Sequence, residues 1–392
     1  MELSDHSEVS DASESSRRLT VLKESIFQSL RQSGFSIIDN KKLVVPQNKD
    51  FIRNTHRNAV SYLREKKRDF ISSWDDKILQ RNIIDGRDLD LKNIIPKLIM
   101  LKNKEDNSTF NWIKMHWSIP ISAGYGRRLR YLVYDEGNSA VIGIIGLADP
   151  VFGLRDRDNF IGWNSEIRKK RLKHMLDAFV LGSVPPYSMV LGGKLVASML
   201  MSSKIPIDFM KKYKGKKAKI SNEVFNGKLA AITTASALGK SSVYDRIKIP
   251  GSSQFLHVGW SSGSGEFQFF NNVYDEIFKL AHVNAEHLKN SKWGSGVRNR
   301  RTVILTGLKM LGLPDSLLYH NIKRELFLVP LGKTAIDYLS DKSKHIAYYN
   351  STVDDISSYA LERWVLPRAN RKNDYMEFKK ESYSLRDQPP LI

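Results

Sequence analysis

The chain has 392 residues, a formal charge of +20, 41% hydrophobic residues and no cysteine. These figures exclude a disulfide framework and a thiolate metal site, and no apolar run reaches the roughly 20 residues that a membrane-spanning helix needs. The first 16 residues hold five acidic side chains and no Lys or Arg, so taking their −5 out of the total of +20 leaves +25 on the other 376. So basic a body favours a polyanion, of which nucleic acid is the commonest. A solvated surface that binds nothing is the competing reading. The acidic, polar N-terminus is unlike a signal peptide, and a soluble cytoplasmic protein is expected.

Residues 1–18 are Ser-rich and acidic with almost nothing apolar to bury, and are expected to form a disordered tail. Residues 19–108 read as a helical N-terminal region. Leu19–Leu30 has apolar residues at helical spacing, and Gly34 stops that helix. One long helix is expected over Phe51–Leu79, with Ala59, Leu63, Phe70 and Trp74 among its apolar positions and a strongly basic remainder. Such a helix lies along a phosphate backbone or is simply solvated. Pro96 breaks any helix around it. Trp112 and Trp117, with Met115 between them, read as aromatics packing a domain seam.

The middle of the chain alternates apolar runs with Gly, Pro and polar residues, the punctuation of short buried strands that deliver loops to one site. Arg130–Tyr134 and Ala140–Leu147 form a hairpin about Gly137-Asn138. Arg155, Asp156, Arg157 and Asp158 follow in a polar loop whose alternating signs suit local ion pairs better than an active site. A basic helix around Arg168–Leu172 leads to a strand over Asp177–Val184, closed by Pro185-Pro186. Gly192-Gly193 open the next helix, with Lys194 beside them. Glycines there let backbone amides approach an anion, and an ordinary turn explains them equally. Lys211–Ile220 is a basic loop. The strand in LAAITTASAL runs into GKSSVYDRI, where Ser241 or Ser242 caps a short helix carrying Tyr244. Thr234–Ser241 (TASALGKS) has the form of a Walker A loop, except that Thr234 replaces the first Gly of its anion nest. No apolar strand ending in Asp follows, so NTP hydrolysis is not expected.

Further on, Phe267, Phe269 and Phe270 suit a strand and Val273–His287 a helix. His282 and His287 stand five apart, poor spacing for a metal on one helix face, and no metal is expected. A helix over Thr302–Leu311, a strand over Glu325–Val329 and a final helix ending at Pro367 make residues 291–371 a C-terminal α/β extension. Residues 372–392 read as a flexible tail. Charge places the nucleic-acid contacts at Arg298, Arg300 and Arg301 and at Lys211, Lys212, Lys216 and Lys217.

As a set, GYGRRLRYLVYDE (Gly124–Glu136), GIIGLADPVFGLRDRDNFIGW (Gly143–Trp163), DAFVLGSVPPYSMVLGGKLVASML (Asp177–Leu200), TTASALGKSSVYDRIK (Thr233–Lys248) and SYALERWVLPRANR (Ser358–Arg371) resemble the DruA family of Druantia anti-phage defence proteins. The resemblance implies a multi-gene bacterial defence system with a large helicase-like partner, and it supplies no catalytic mechanism. A second resemblance concerns the fold. The order hairpin, strand, Gly-rich turn, helix, strand, Tyr-bearing helix is similar to GNAT acyltransferases. It implies an α/β (α+β) protein with a GNAT-like mixed-sheet core over 109–290 and N- and C-terminal helical extensions. In that family the Gly-rich turn holds the pyrophosphate of acyl-CoA, here Leu191-Gly192-Gly193-Lys194. A Tyr on the next helix, here Tyr244, acts as general acid toward the leaving thiolate. The Gln or Arg usual before those glycines is absent. The cofactor stays open, with acetyl-CoA as the candidate this resemblance supplies, and so does catalysis itself. A basic nucleic-acid-associated module is the preferred reading, and an acyl-CoA-dependent transferase acting on nucleic acid or protein is the alternative. A nuclease ranks last, for want of a metal-binding constellation.

Overall fold

The computed structural model describes residues 5–217, 224–284 and 297–386. Helix α1 (Asp5–Gln32) ends where Gly34 takes φ 87, and a small antiparallel pair follows, β1 (Ser36–Ile38) with β2 (Lys42–Val44). The helix starts inside the acidic segment expected to lack structure. Acidic residues suit the positive end of a helix dipole, and α1 is anchored further along by the buried Ile26, Phe27 and Leu30.

The long basic helix is two helices, α2 (Lys49–Glu65) and α3 (Arg68–Asn82), separated at Lys66-Lys67. The break serves two cores. Ile52 and Ala59 of α2 join Ile26 and Leu30 in one cluster, whereas Ile71, Ile78 and Leu79 of α3 pack with Phe110 and Trp112 in another. A single straight helix would have to hold both faces at one angle.

The centre is a seven-stranded sheet in the order β3-β4-β5-β6-β7-β9-β8. Its strands are β3 (Pro96–Met100), β4 (Arg128–Asp135), β5 (Ala140–Ala148), β6 (Met175–Ser183), β7 (Ala231–Ala235), β8 (Leu256–Trp260) and β9 (Glu325–Pro330). Every pairing is antiparallel except β6 with β7. The fold is thus mixed α/β. All nine residues of β5 are buried, as a run covered on both faces requires. The sheet crosses the boundaries expected at 108/109 and 290/291, since β3 lies before the first and β9 after the second. Pro96 opens an edge strand instead of breaking a helix, and at that position it sacrifices no ladder bond. Phe267–Phe269 forms a 3-10 turn with buried rings, not a strand.

Helix α4 (Lys104–Lys114) covers one sheet face; α5 (Arg155–Ile161) and α6 (Ser165–Arg171) follow β5. The other face carries α7 (Gly192–Ser198) and α8 (Lys204–Tyr213), whose Leu195, Val196, Ile205 and Phe209 pack on Leu129, Tyr131 and Val133 of β4. Helices α9 (Asn272–Asn284) and α10 (Val297–Met310) pack against α1 and α2, followed by α11 (Ala335–Leu339).

The final helix does not stop at Pro367. It runs as α12 (Val353–Ala360), a π-helical segment (Leu361–Val365) and α13 (Leu366–Arg371). A proline ring inside a helix collides with the carbonyl four residues back, here Arg363, and the wider π turn accommodates it. The segment expected to be a flexible tail is docked as far as Arg386. Tyr375 and Leu385 are buried, and the buried Asp75 carboxylate accepts from Trp112 Nε1, Ser384 Oγ (2.7 Å) and Leu385 N (3.0 Å). Residues 387–392 lie outside the described residues. Among the described residues no helix is long and apolar enough to cross a membrane, and no cluster of His, Asp and Glu suits a metal ion. His287 lies outside them.

Candidate nucleic-acid interface

Successive residues of a strand point to opposite faces, so Arg128 and Arg130 of β4 share the face opposite Leu129 and Tyr131. The Arg130 guanidinium lies 5.8 Å from the Phe110 ring of α4, which ends at Lys114. From the other side, α8 docks its last turn on the same strand. The Tyr213 hydroxyl accepts from Arg128 N (2.7 Å) and donates to Arg128 O (2.8 Å), while Lys212 Nζ donates to that oxygen as well (2.9 Å). This clamp sets Lys212 and Lys216 beside Arg128 and Arg130.

The result is a strip of cations from two helix ends, a strand and the loop after α8: Lys114, Arg128, Arg130, Lys212 and Lys216. None forms an ion pair with a carboxylate among the described residues, and the buried Nε of Arg128 has no hydrogen-bond partner there. Burial, and then the neighbouring charges of Arg130, Lys67 and Arg128, bring the Lys114 ammonium down to about 8. Burial and Arg128 lower Arg130, and burial, Arg130 and Lys216 lower Lys212. Like charges held together without a counter-ion favour a bound anion. Of the expected lysines, Lys212 and Lys216 belong to this strip. Lys211 and Lys217 are exposed nearby, with Lys217 bridged to Val224. Arg128, Arg130 and Lys114 were missed. The period-2 pattern of Arg128-Leu129-Arg130-Tyr131 carried the signal, but their convergence with α8 is tertiary.

The arginine cluster is more self-contained. Arg300 stacks 5.1 Å from the Phe270 ring, and Arg301 reaches Ser264 Oγ (3.3 Å) and Glu266 (3.5 Å). The side chain of Arg298 lies outside what is described.

The Gly-rich turn follows β6. Tyr187 anchors it by donating to Asp135 of the hairpin (2.8 Å). Leu191, not a glycine, takes the left-handed conformation (φ 64, ψ 24). The two glycines differ: a Cβ on Gly192 would lie 2.5 Å from Tyr187 O, while one on Gly193 would meet only Ser183 Oγ at 3.6 Å and Val243 Cγ1 at 3.9 Å. Close backbone packing therefore fixes Gly192, and Gly193→Ala should melt within about 1 °C of the parent while Gly192→Ala loses about 1–3 kcal/mol. Thermal melting of the two variants checks this. Lys194 Nζ donates to Val243 O (2.8 Å).

Tyr244 sits on a 3-10 turn (Tyr244–Arg246). Its ring stacks on Phe255 (5.3 Å), its hydroxyl reaches Leu181 O of β6 (3.4 Å), and burial raises the phenol to about 12. Ser241, not Ser242, caps the turn, its Oγ accepting from Val243 N and Tyr244 N. In the Walker-like loop Ser241 N donates to the Glu325 carboxylate (2.6 Å), so the protein's own anion occupies the amide a phosphate would need.

The model of the family "DruA: Druantia protein DruA" matches residues 46–341. Druantia protein DruA of Escherichia coli (strain UMEA 4076-1) is 34% identical over 365 residues, covering 91% of this chain and 89% of that protein. No solved structure matches the chain. A family match over all seven strands of the central sheet, together with a relative aligned over 91% of the chain, establishes that the chain belongs to the DruA family of Druantia proteins.

Proposed function

We propose that the chain is the nucleic-acid-associated component of a Druantia-type anti-phage system and works beside a helicase-like partner. The observation that supports this most is the carboxylate-free strip of Lys114, Arg128, Arg130, Lys212 and Lys216. Phosphate contacts release counterions, so the binding constant falls with salt at about 0.9 log units per contact on duplex and about 0.7 on single strands. The test is a titration of labelled DNA and RNA between about 50 and about 200 mM salt. A log–log slope near −4 supports the reading, and a salt-independent constant, or no binding, overturns it.

The strip also sets a pH dependence. Lys114 titrates near 8 in the free protein, below the usual lysine value. A neighbouring phosphate favours the ammonium, so binding takes up a proton. From pH 7 to pH 9 affinity should fall by up to about tenfold, and Lys114→Arg, which stays charged, should flatten the fall. Anisotropy titrations at the two pH values measure it.

A second reading, the acyl-CoA-dependent transferase, draws on the chain order of hairpin, strand, Gly-rich turn, helix, strand and Tyr-bearing turn, with β6 and β7 as the parallel pair. Against it stands Tyr244, whose ring stacks on Phe255 and whose hydroxyl donates to a strand carbonyl. Acetyl-CoA should leave the melting temperature unchanged, and a clear rise would favour the transferase.

A further inference from the structure

A second basic feature lies away from the strip and uses none of its residues. The loop after β6, the Tyr244 turn and the π-helical segment line an open cavity of about 510 Å³. Lys194, Arg246, Lys248, Arg363 and Arg371 line it, and no acidic side chain does. Among the described residues none of the five is ion-paired. Tyr359 and Trp364 complete the wall, their rings edge to face at 5.7 Å. Lys194 Nζ is 5.5 Å from the Trp364 ring, and its ammonium is lowered by burial and then by Arg246, against a smaller opposing pull from Asp245.

Two irregular backbone segments meet here: Leu191 in the left-handed region, and the π turn that carries Arg363 and Trp364. Strained residues and π turns concentrate where a ligand is held.

We infer that this cavity binds a free nucleoside di- or triphosphate. Its volume is that of a small-molecule site, too small for a duplex. Five cations in so small a space match three or four negative charges on one ligand, whereas a strand passing through brings one per nucleotide. Guanidinium forks pair bidentately with phosphate oxygens, and the aromatic wall offers a base an apolar edge. Acyl-CoA has a similar head but needs a channel for its arm, and Tyr244 fills the space beside Leu181 O.

The experiment is calorimetric titration of the full chain with ATP, GTP, AMP, inorganic pyrophosphate, acetyl-CoA and a ten-nucleotide DNA. The expected result is saturable binding of ATP or GTP, at least about tenfold tighter than AMP, pyrophosphate or acetyl-CoA. Arg246→Gln with Arg371→Gln should weaken it by at least about tenfold; if that pair does not fold, Arg363→Gln, an exposed position, should weaken it measurably. A variant lacking the strip charges should bind nucleotide like the parent, which separates failure of this inference from failure of the nucleic-acid reading. No saturable binding of ATP or GTP overturns the inference. So does tighter acetyl-CoA, displacement by the DNA, or nucleotide affinity unchanged in the cavity variants.

Discussion

Replacing Arg128, Arg130, Lys212 and Lys216 together with Gln is expected to lower nucleic-acid affinity by more than about a hundredfold at 0.1 M salt. Gln keeps most of the aliphatic stem, so the packing of residue 130 over Phe110 survives while the charge goes. Four lost phosphate contacts on a duplex reduce the salt slope by about 3 to 4. The parent and variant curves should therefore diverge as salt is lowered and converge toward 1 M. Arg300→Gln with Arg301→Gln is the comparison. Those guanidinium groups already engage Phe270, Ser264 and Glu266, and their loss should cost less than about threefold. Anisotropy titrations on variants shown to melt like the parent decide it. Equal losses in the two sets would return the interface to the arginine cluster.

What was legible in the sequence follows from local physics. The hairpin, the strand before Pro185-Pro186, the helix at Gly192 and the cap at Ser241 all rest on periodicity or on one residue's backbone preference, and all are present. The misread elements are those where tertiary demands win. Pro96 looks like a breaker until β4 pairs with it, and Pro367 looks like a stop until a π turn absorbs it. Lys66-Lys67 carries no local signal for a break, because two separate cores demand it. The candidate sites divide the same way. Lys212 and Lys216 stand out as a charge run, but Arg128 becomes their neighbour only through the Tyr213 clamp, and Arg246 and Arg371 join Lys194 only in three dimensions.

The same distinction explains how the two basic regions differ. The strip lies across a strand, two helix ends and a loop, and suits an extended polyanion that touches several cations in passing. The cavity is concave and walled by aromatics, and suits a compact ligand with its charge at one end. If both proposals hold, the two ligands occupy separate surfaces and share no cation, so each can be tested with the other site intact.

The largest stability loss should come from Arg157→Ala, at about 3–5 kcal/mol. The alternating Arg155–Asp158 segment is not an open polar loop. It is α5, and the Arg157 side chain is fully buried. Its guanidinium pairs with Asp158 Oδ1 (2.6 and 2.8 Å), donates to the Val151 and Phe152 carbonyls (3.0 and 3.1 Å) and lies 5.3 Å from the Trp163 ring. Alanine strands both carbonyls and most of the Asp158 charge, leaving that carboxylate only Arg168 (3.1 Å) and Leu154 N (3.2 Å). Asp158→Ala should be comparably severe, since it leaves the buried guanidinium without its anion. Removing both partners, as Arg157→Ala with Asp158→Ala, deletes the two charges together, and Arg168, its side chain 24% exposed, can regain water. The double variant should therefore lose less than the sum of the two single alanine losses, by about 2 kcal/mol or more. Denaturant unfolding of the four proteins measures the cycle. Additive losses would mean that the ion pair contributes nothing beyond its two separate side chains, and a near-neutral Arg157→Ala would mean that the buried fork is not what ties α5 to the loop after β5.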